Sequence, residues 1–136
     1  MANEHESTAD EHQSDEGGPA MAKSYCQVVG IVLLALGVIG FMTSSLLGVA
    51  TTPVHNLIHL VSGAVLAYFG FTGQSVKMGA QVFGVIYTIV GVLGFISAGT
   101  LGGLGVSVNG TYNLIHLVVG VAGLYIGFGS QEMAKA

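Results

Sequence analysis

Asn56-Leu57-Ile58-His59-Leu60-Val61 returns 57 residues later as Asn113-Leu114-Ile115-His116-Leu117-Val118, and each copy opens an apolar run free of acids and strong bases. Gly63, Tyr68, Gly70 and Phe71 return at the same offset as Gly120, Tyr125, Gly127 and Phe128. Upstream, Gln27-Val28-Val29-Gly30 aligns with Gln81-Val82-Phe83-Gly84, and Gly37-Val38-Ile39-Gly40-Phe41 with Gly91-Val92-Leu93-Gly94-Phe95, both at an offset of 54. The chain therefore reads as one two-helix unit written twice, with the outer loop between its two helices three residues longer in the second copy.

Four apolar segments carry this pattern: about Ser24 to Leu47, Pro53 to Phe71, Gly79 to Ala98 and Thr111 to Phe128. Each is close to the ~20 residues that cross a ~30 Å hydrocarbon core as a helix. Barrel strands would alternate with period two over about ten residues, and these runs do not. The fold class expected is all-α integral membrane: four transmembrane helices as two tandem two-helix repeats, residues 24–73 and 78–130, within a membrane domain of residues 24–130. Two spans per unit send both copies through the bilayer in one direction, which relates them by a pseudo-twofold axis along the membrane normal.

Composition supports lipid over water. Of 136 residues 51% are hydrophobic and 7% charged, whereas a soluble domain carries roughly a quarter charged residues. Between Ser24 and Gln131 the one acid or strong base is Lys77. The acidic residues Glu4, Glu6, Asp10, Glu11, Asp15 and Glu16 crowd residues 1–23, a segment with too few apolar side chains to offset the entropy of ordering, so a disordered tail is expected there and a short tail over 131–136. No basic start followed by an apolar run marks a signal peptide, and no basic patch marks a nucleic-acid partner. Lys23, Lys77 and Lys135 fall on one side of a four-span chain, so the positive-inside rule places both termini in the cytoplasm.

The helix faces suggest how the spans pack. Gly30, Gly37 and Gly40 lie near one face of the first span, and Gly84, Gly91 and Gly94 repeat that stripe on the third; Gly63 and Gly120 serve the second and fourth. Small residues at these spacings let backbones approach closely, which in lipid replaces the missing hydrophobic drive between helices. Tyr25, Tyr68, Tyr125 and Tyr112 fall at span ends, where an amphipathic ring prefers the interface. Thr52-Pro53 reads as an N-cap followed by proline at the first helical position. Gly99 to Gly110 reads as a flexible outer loop in which Asn109-Gly110-Thr111 forms a turn and helix start. Cys26 reads as a small buried residue.

Two polar pairs stand out inside the spans: Asn56 with His59, and Asn113 with His116. A spacing of three puts each pair near one helix face, and polar groups in a span normally face the bundle interior. The two histidines are therefore expected to approach each other, or each other's asparagine, across the pseudo-twofold axis. Three readings stay open. The pairs lock the halves by hydrogen bonds; or His59 and His116, with His55 one turn before His59, ligate haem or a transition metal; or the histidines form a pH-sensitive contact. His5 and His12, among the tail carboxylates, read as solvated.

The paired Asn-Leu-Ile-His-Leu units, each opening the second helix of a Gly-rich two-helix unit, resemble a family of small bacterial four-span membrane proteins, the domain of unknown function 4383 type. The resemblance covers about Tyr25 to Gly129. It implies a bacterial cytoplasmic membrane location and supplies no activity. The spans hold no carboxylate and no nucleophile beside an evident base and orienting acid, so the sequence reads as non-enzymatic. A structural or interaction protein is expected, with lipid around it and a homo-oligomer or a larger membrane complex as partner through its glycine faces. A haem- or metal-binding bundle is the alternative.

Overall fold

The computed structural model describes residues 17–129. Its elements are α1 (Gly17–Met42), a hairpin of β1 (Ser45–Leu46) and β2 (Val49–Ala50), α2 (Pro53–Thr72), α3 (Val76–Ile96), the short α4 (Ala98–Gly103), and α5 (Gly110–Leu124). A π-helical turn, Tyr125–Gly129, continues α5. Four helices are long and apolar enough to cross a membrane, over Ala20–Met42, Pro53–Thr72, Val76–Ile96 and Gly110–Gly129. About a third of each span is buried inside the protein. The rest presents side chains such as Val28, Ile31, Val38, Val61, Ile89 and Val118 outward, a surface suited to hydrocarbon and costly in water. The chain is a multi-pass membrane protein built as a helical bundle.

The boundaries differ from the sequence reading at several points. The first helix already starts at Gly17, so Lys23 lies within it, while residues 1–16, with His5 and His12, and residues 130–136 lie outside the described residues. The first helix stops at Met42, five residues before the expected Leu47. The Thr51 hydroxyl donates to the Thr43 carbonyl at 2.6 Å, and the chain turns into the β1–β2 hairpin with Ser45 opposite Ala50 and Leu46 opposite Val49. Leu47 (φ 51) and Gly48 (φ 83) form its two central residues, both left-handed as a tight two-residue hairpin requires. The α3 helix takes in Val76 and Lys77, which were read as connection. The long loop after α3 contains α4, pinned by the buried Leu101.

Helix starts follow from side-chain chemistry. The Thr52 hydroxyl accepts the His55 backbone N–H at 3.1 Å ahead of Pro53, and Asn109 Oδ1 accepts the Tyr112 N–H at 2.9 Å ahead of α5. After α2, Gly73 (φ 76) turns the chain left-handed and its N–H reaches the Phe69 carbonyl at 2.8 Å.

The closely packed pairs are α1 with α2 and α3 with α5. Glycine decides this. A Cβ on Gly30 would sit 2.5 Å from the Ala67 backbone nitrogen, and one on Gly84 2.6 Å from that of Leu124. Gly37 and Gly91 receive Leu60 and Leu117, with the Cγ atoms 2.6 and 2.7 Å from the place of a Cβ. Gly63 abuts the backbone of Leu34, and Gly120 that of Thr88. At the end carrying the termini, Gln27 Nε2 donates to the Gly70 carbonyl at 3.0 Å and Gln81 Nε2 to the Gly127 carbonyl at 2.9 Å.

The two pairs meet along a seam. Its core, toward the termini, is Ala22, Tyr25, Cys26, Leu33, Leu66, Val76, Ala80 and Tyr87. The Tyr25 hydroxyl donates to the Val119 carbonyl at 2.9 Å, so this ring is buried in the seam and does not stand at the interface as its position suggested. Tyr68 and Tyr125 do lie on the exterior. At the loop end the Thr52 hydroxyl donates to the Gly105 carbonyl at 2.5 Å, and Asn109 Nδ2 donates to the Leu47 carbonyl at 2.9 Å. Asn109 thus both caps α5 and ties the loops of the two pairs. Its replacement, Asn109→Ala, is expected to cost about 2 kcal/mol, the sum of a lost cap and a lost hydrogen bond, read as a lowered thermal midpoint by circular dichroism. Asn109→Asp keeps the cap and loses the tie, and is expected to fall between the two.

Candidate functional site

The loop-end half of the seam gathers five rings from three helices. On α2, His55 and His59 are four residues apart and their rings stand 4.2 Å apart at 45°. His116 on α5 lies 6.4 Å from His55. Tyr112, one turn before His116, stacks on it at 6.2 Å and 21°, and Tyr87 of α3 lies 5.7 Å from it on another side. Tyr112 also meets His55 at 6.1 Å. All five are at least nine-tenths buried.

The asparagines do not join this cluster. A Cβ on Gly40 would overlap the Asn56 carboxamide, whose Cγ lies 2.7 Å from that point, and a Cβ on Gly94 would overlap the Asn113 carboxamide in the same way, with Cγ at 2.5 Å. Each amide therefore lies on a glycine of the neighbouring helix in its own pair, with its oxygen on the side of a Cα hydrogen, the arrangement of a weak Cα–H···O contact. Three residues of helix leave two side chains about 60° apart in direction. That difference turns each asparagine toward the first helix of its pair and each histidine toward the seam. The expectation that Asn and His act together across the halves is corrected accordingly: the histidines approach the other half, and the asparagines serve the glycine contact.

Polar atoms of the cluster and of the adjoining glycine contact are incompletely matched. His59 Nδ1, His116 Nδ1 and Asn113 Oδ1 are buried without a hydrogen-bond partner among the described residues. A hydrogen-bonded lock between the halves at the histidines is thus not what the geometry offers. Nor do His55, His59 and His116 make a three-ligand set: among the described residues no group of three or more His, Cys, Asp or Glu is arranged to hold a metal ion. The Tyr112 hydroxyl is matched, donating to the Leu46 carbonyl at 2.7 Å across the seam. Its ring faces the cluster, and so the interfacial placement read from its position at a span end is also corrected.

Two cavities flank the rings. One of about 200 Å³ lies between α1 and α5, walled by Val28, Val29, Val32, Leu33, Leu36 and Val119 and floored by His59, His116, Tyr87 and Tyr112. A smaller one of about 80 Å³ lies on the α2–α3 side against His55, His59, Tyr87 and His116. The larger has room for one small ring and not for a porphyrin.

Sequence reasoning missed Tyr87 and Tyr112 as members of the site. The signal was present in the departures from the repeat: Tyr87 stands at the position equivalent to Leu33, and Tyr112 at that of His55. Both depart from their counterparts in chemistry, and both face the seam. Residues 23–129 match the profile of a family described as Domain of unknown function (DUF4383). No curated protein and no solved structure matches the chain.

Proposed function

The chain belongs to the DUF4383 family, a domain of unknown function, and since that description carries no activity we propose from its own residues that it is a non-enzymatic membrane protein of the structural or interaction type. In this reading it is two tandem two-helix units related by a pseudo-twofold axis along the membrane normal. The equivalent contacts Gly40 with Asn56 and Gly94 with Asn113, and the equivalent hydrogen bonds of Gln27 and Gln81, support that symmetry. The lysines support cytoplasmic termini, and the resemblance supports a bacterial cytoplasmic membrane. Reagent labelling of Ser107→Cys from outside intact cells is the expected result; labelling only after lysis would refute the orientation.

The observation that carries the interaction reading is the division of surfaces. The glycine faces are occupied inside the helix pairs, so they are not free to bind a partner, contrary to the sequence expectation. What remains outward on all four spans is exposed apolar side chains. The bundle accordingly works as an accessory protein that lies beside a second copy or a larger membrane complex through this exterior, where packing between matched apolar side chains supplies the attraction. Native mass measurement of the full chain, extracted directly from its membrane into lipid nanodiscs, is expected to find it with a second copy or at fixed stoichiometry with another membrane protein. Single chains under all lipid conditions would overturn the proposal.

A further inference from the structure

The seam between α1 and α5 is tied at two heights and open between them. The Tyr25 hydroxyl of α1 donates to the Val119 carbonyl of α5 at 2.9 Å, and the Tyr112 hydroxyl of α5 donates to the Leu46 carbonyl, in the hairpin that follows α1, at 2.7 Å. The cavity of about 200 Å³ occupies the stretch between these ties, from Val28 to Leu36 on α1 and from Tyr112 to Val119 on α5. The α1 helix is also held to α2 at backbone distance through Gly30, and α5 to α3 through Gly84, so the gap cannot close by the two helices moving together. Val28, Val32 and Ile115 line it and are exposed on the outer surface, and its mouth therefore opens sideways toward lipid. We propose that this cavity binds one acyl chain of a phospholipid from the leaflet at the loop end, lying along the seam with its head and glycerol outside the bundle.

The repeat shows what the protein itself places at the equivalent gap. At the offset of 54, Val29, Val32 and Leu33 of α1 correspond to Phe83, Ile86 and Tyr87 of α3, each of them larger. Those three line the cavity between α2 and α3, which holds only about 80 Å³. The longer loop of the second unit also lays Val106 and the buried Leu101 against that cavity. The second unit thus fills its gap largely with apolar groups of its own. The first unit has valines and a leucine on the corresponding wall and leaves the space to an apolar group from outside.

Hydrocarbon is the occupant this lining selects. The lining is almost wholly apolar, and the unpartnered Nδ1 atoms of His59 and His116 are closed off from it. Water needs two to four polar partners per molecule, and neither it nor a polar head finds them here. Left empty, the walls would lack dispersion partners on one side, whereas lipid methylenes reach the mouth without leaving the bilayer. From Val28 to Leu36 the cavity runs about 12 Å along α1, parallel to the spans and so to the lipid chains. At the ~30 Å³ of a water, close to that of a methylene, it takes roughly six carbons. The cavity is complete within one chain, so the site does not depend on the accessory reading.

The test places the full chain, deuterated except for its valine and leucine methyls, in phosphatidylcholine nanodiscs, with chain-deuterated phosphatidylcholine as the control. The readout is cross-relaxation between lipid methylene protons and protein methyls. Leu33 is buried and lines the cavity, so its methyls are expected to cross-relax with chain methylenes about as strongly as those of the exposed Val38. Leu66, fully buried and lining neither cavity, is expected to show no such signal. Val29→Phe installs the residue that the second unit carries, and is expected to lower the Leu33 signal at least tenfold with the Val38 signal and helix content unchanged. Val32→Phe, starting from a half-exposed position at the mouth, is expected to do the same and keeps the test should Val29→Phe not fold. Leu33 methyls that cross-relax with water, with a separately labelled second copy, or with nothing would each overturn the proposal, as would an undiminished Leu33 signal in a folded variant.

Discussion

Gly30→Ala lowers the thermal midpoint of the bundle, and Gly84→Ala does the same in the other helix pair. The Cβ added at Gly30 would stand 2.5 Å from the Ala67 nitrogen, 2.9 Å from its Cα and 3.1 Å from the Gly63 oxygen. All three are backbone atoms that no rotamer change can move, so α1 and α2 must part along their length. Overpacking of this kind costs about 1–3 kcal/mol and occasionally more, and in lipid the lost dispersion has no hydrophobic term behind it. The sign is diagnostic, because glycine to alanine in a helix interior otherwise gains up to about 1 kcal/mol. Gly99→Ala in α4, where an added Cβ meets nothing within 4 Å, is the control and is expected to leave the midpoint unchanged or raised. Circular dichroism melts of the three variants in the same nanodiscs decide it; a midpoint for Gly30→Ala at or above that of the unaltered chain would mean that α1 and α2 do not touch as described.

Much of this is legible in the sequence, and the limits have a physical cause. Span number and approximate position follow from where charge is missing, since a lysine or a carboxylate in hydrocarbon is expensive wherever it falls. The glycine stripes were visible because close approach needs a small residue whatever the partner. Which helix each stripe meets was not visible. Val, Leu and Ile suit lipid and protein interior alike, so a span carries little of the amphipathic signal that orients a helix in water. Tyrosine suffered from the same ambiguity. Tyr25 and Tyr112 were read by their positions at span ends, whereas backbone carbonyls across the seam, Val119 and Leu46, give their hydroxyls a partner inside. Asn56 and His59 looked like one unit because three residues is close to a helical turn. In a helix wedged between two neighbours, the residual angle is enough to send them to different partners.

The histidines carry the second large effect, and its direction separates the two accounts of them. Were His59 and His116 a lock between the halves, replacing them would loosen the seam and lower stability. With Nδ1 buried and unpartnered on both, each instead holds a desolvated polar atom that costs about 1–3 kcal/mol relative to a matched one. Leucine is close to histidine in volume, brings no polar atom and suits a seam already walled by Leu33, Leu36 and Val119. The double variant His59→Leu with His116→Leu is therefore expected to be more stable than the unaltered chain by about 2 kcal/mol or more. Gain of stability on removing both imidazoles is the pattern of residues kept for a reason other than stability.

Two glycine-packed helix pairs thus hold two imidazoles with buried, unpartnered Nδ1 atoms in the seam between them. The direct measurement is the thermal midpoint of the double leucine variant beside that of the unaltered chain, both in ligand-free phosphatidylcholine nanodiscs. A higher midpoint for the variant is the predicted result, and an equal or lower midpoint would contradict it.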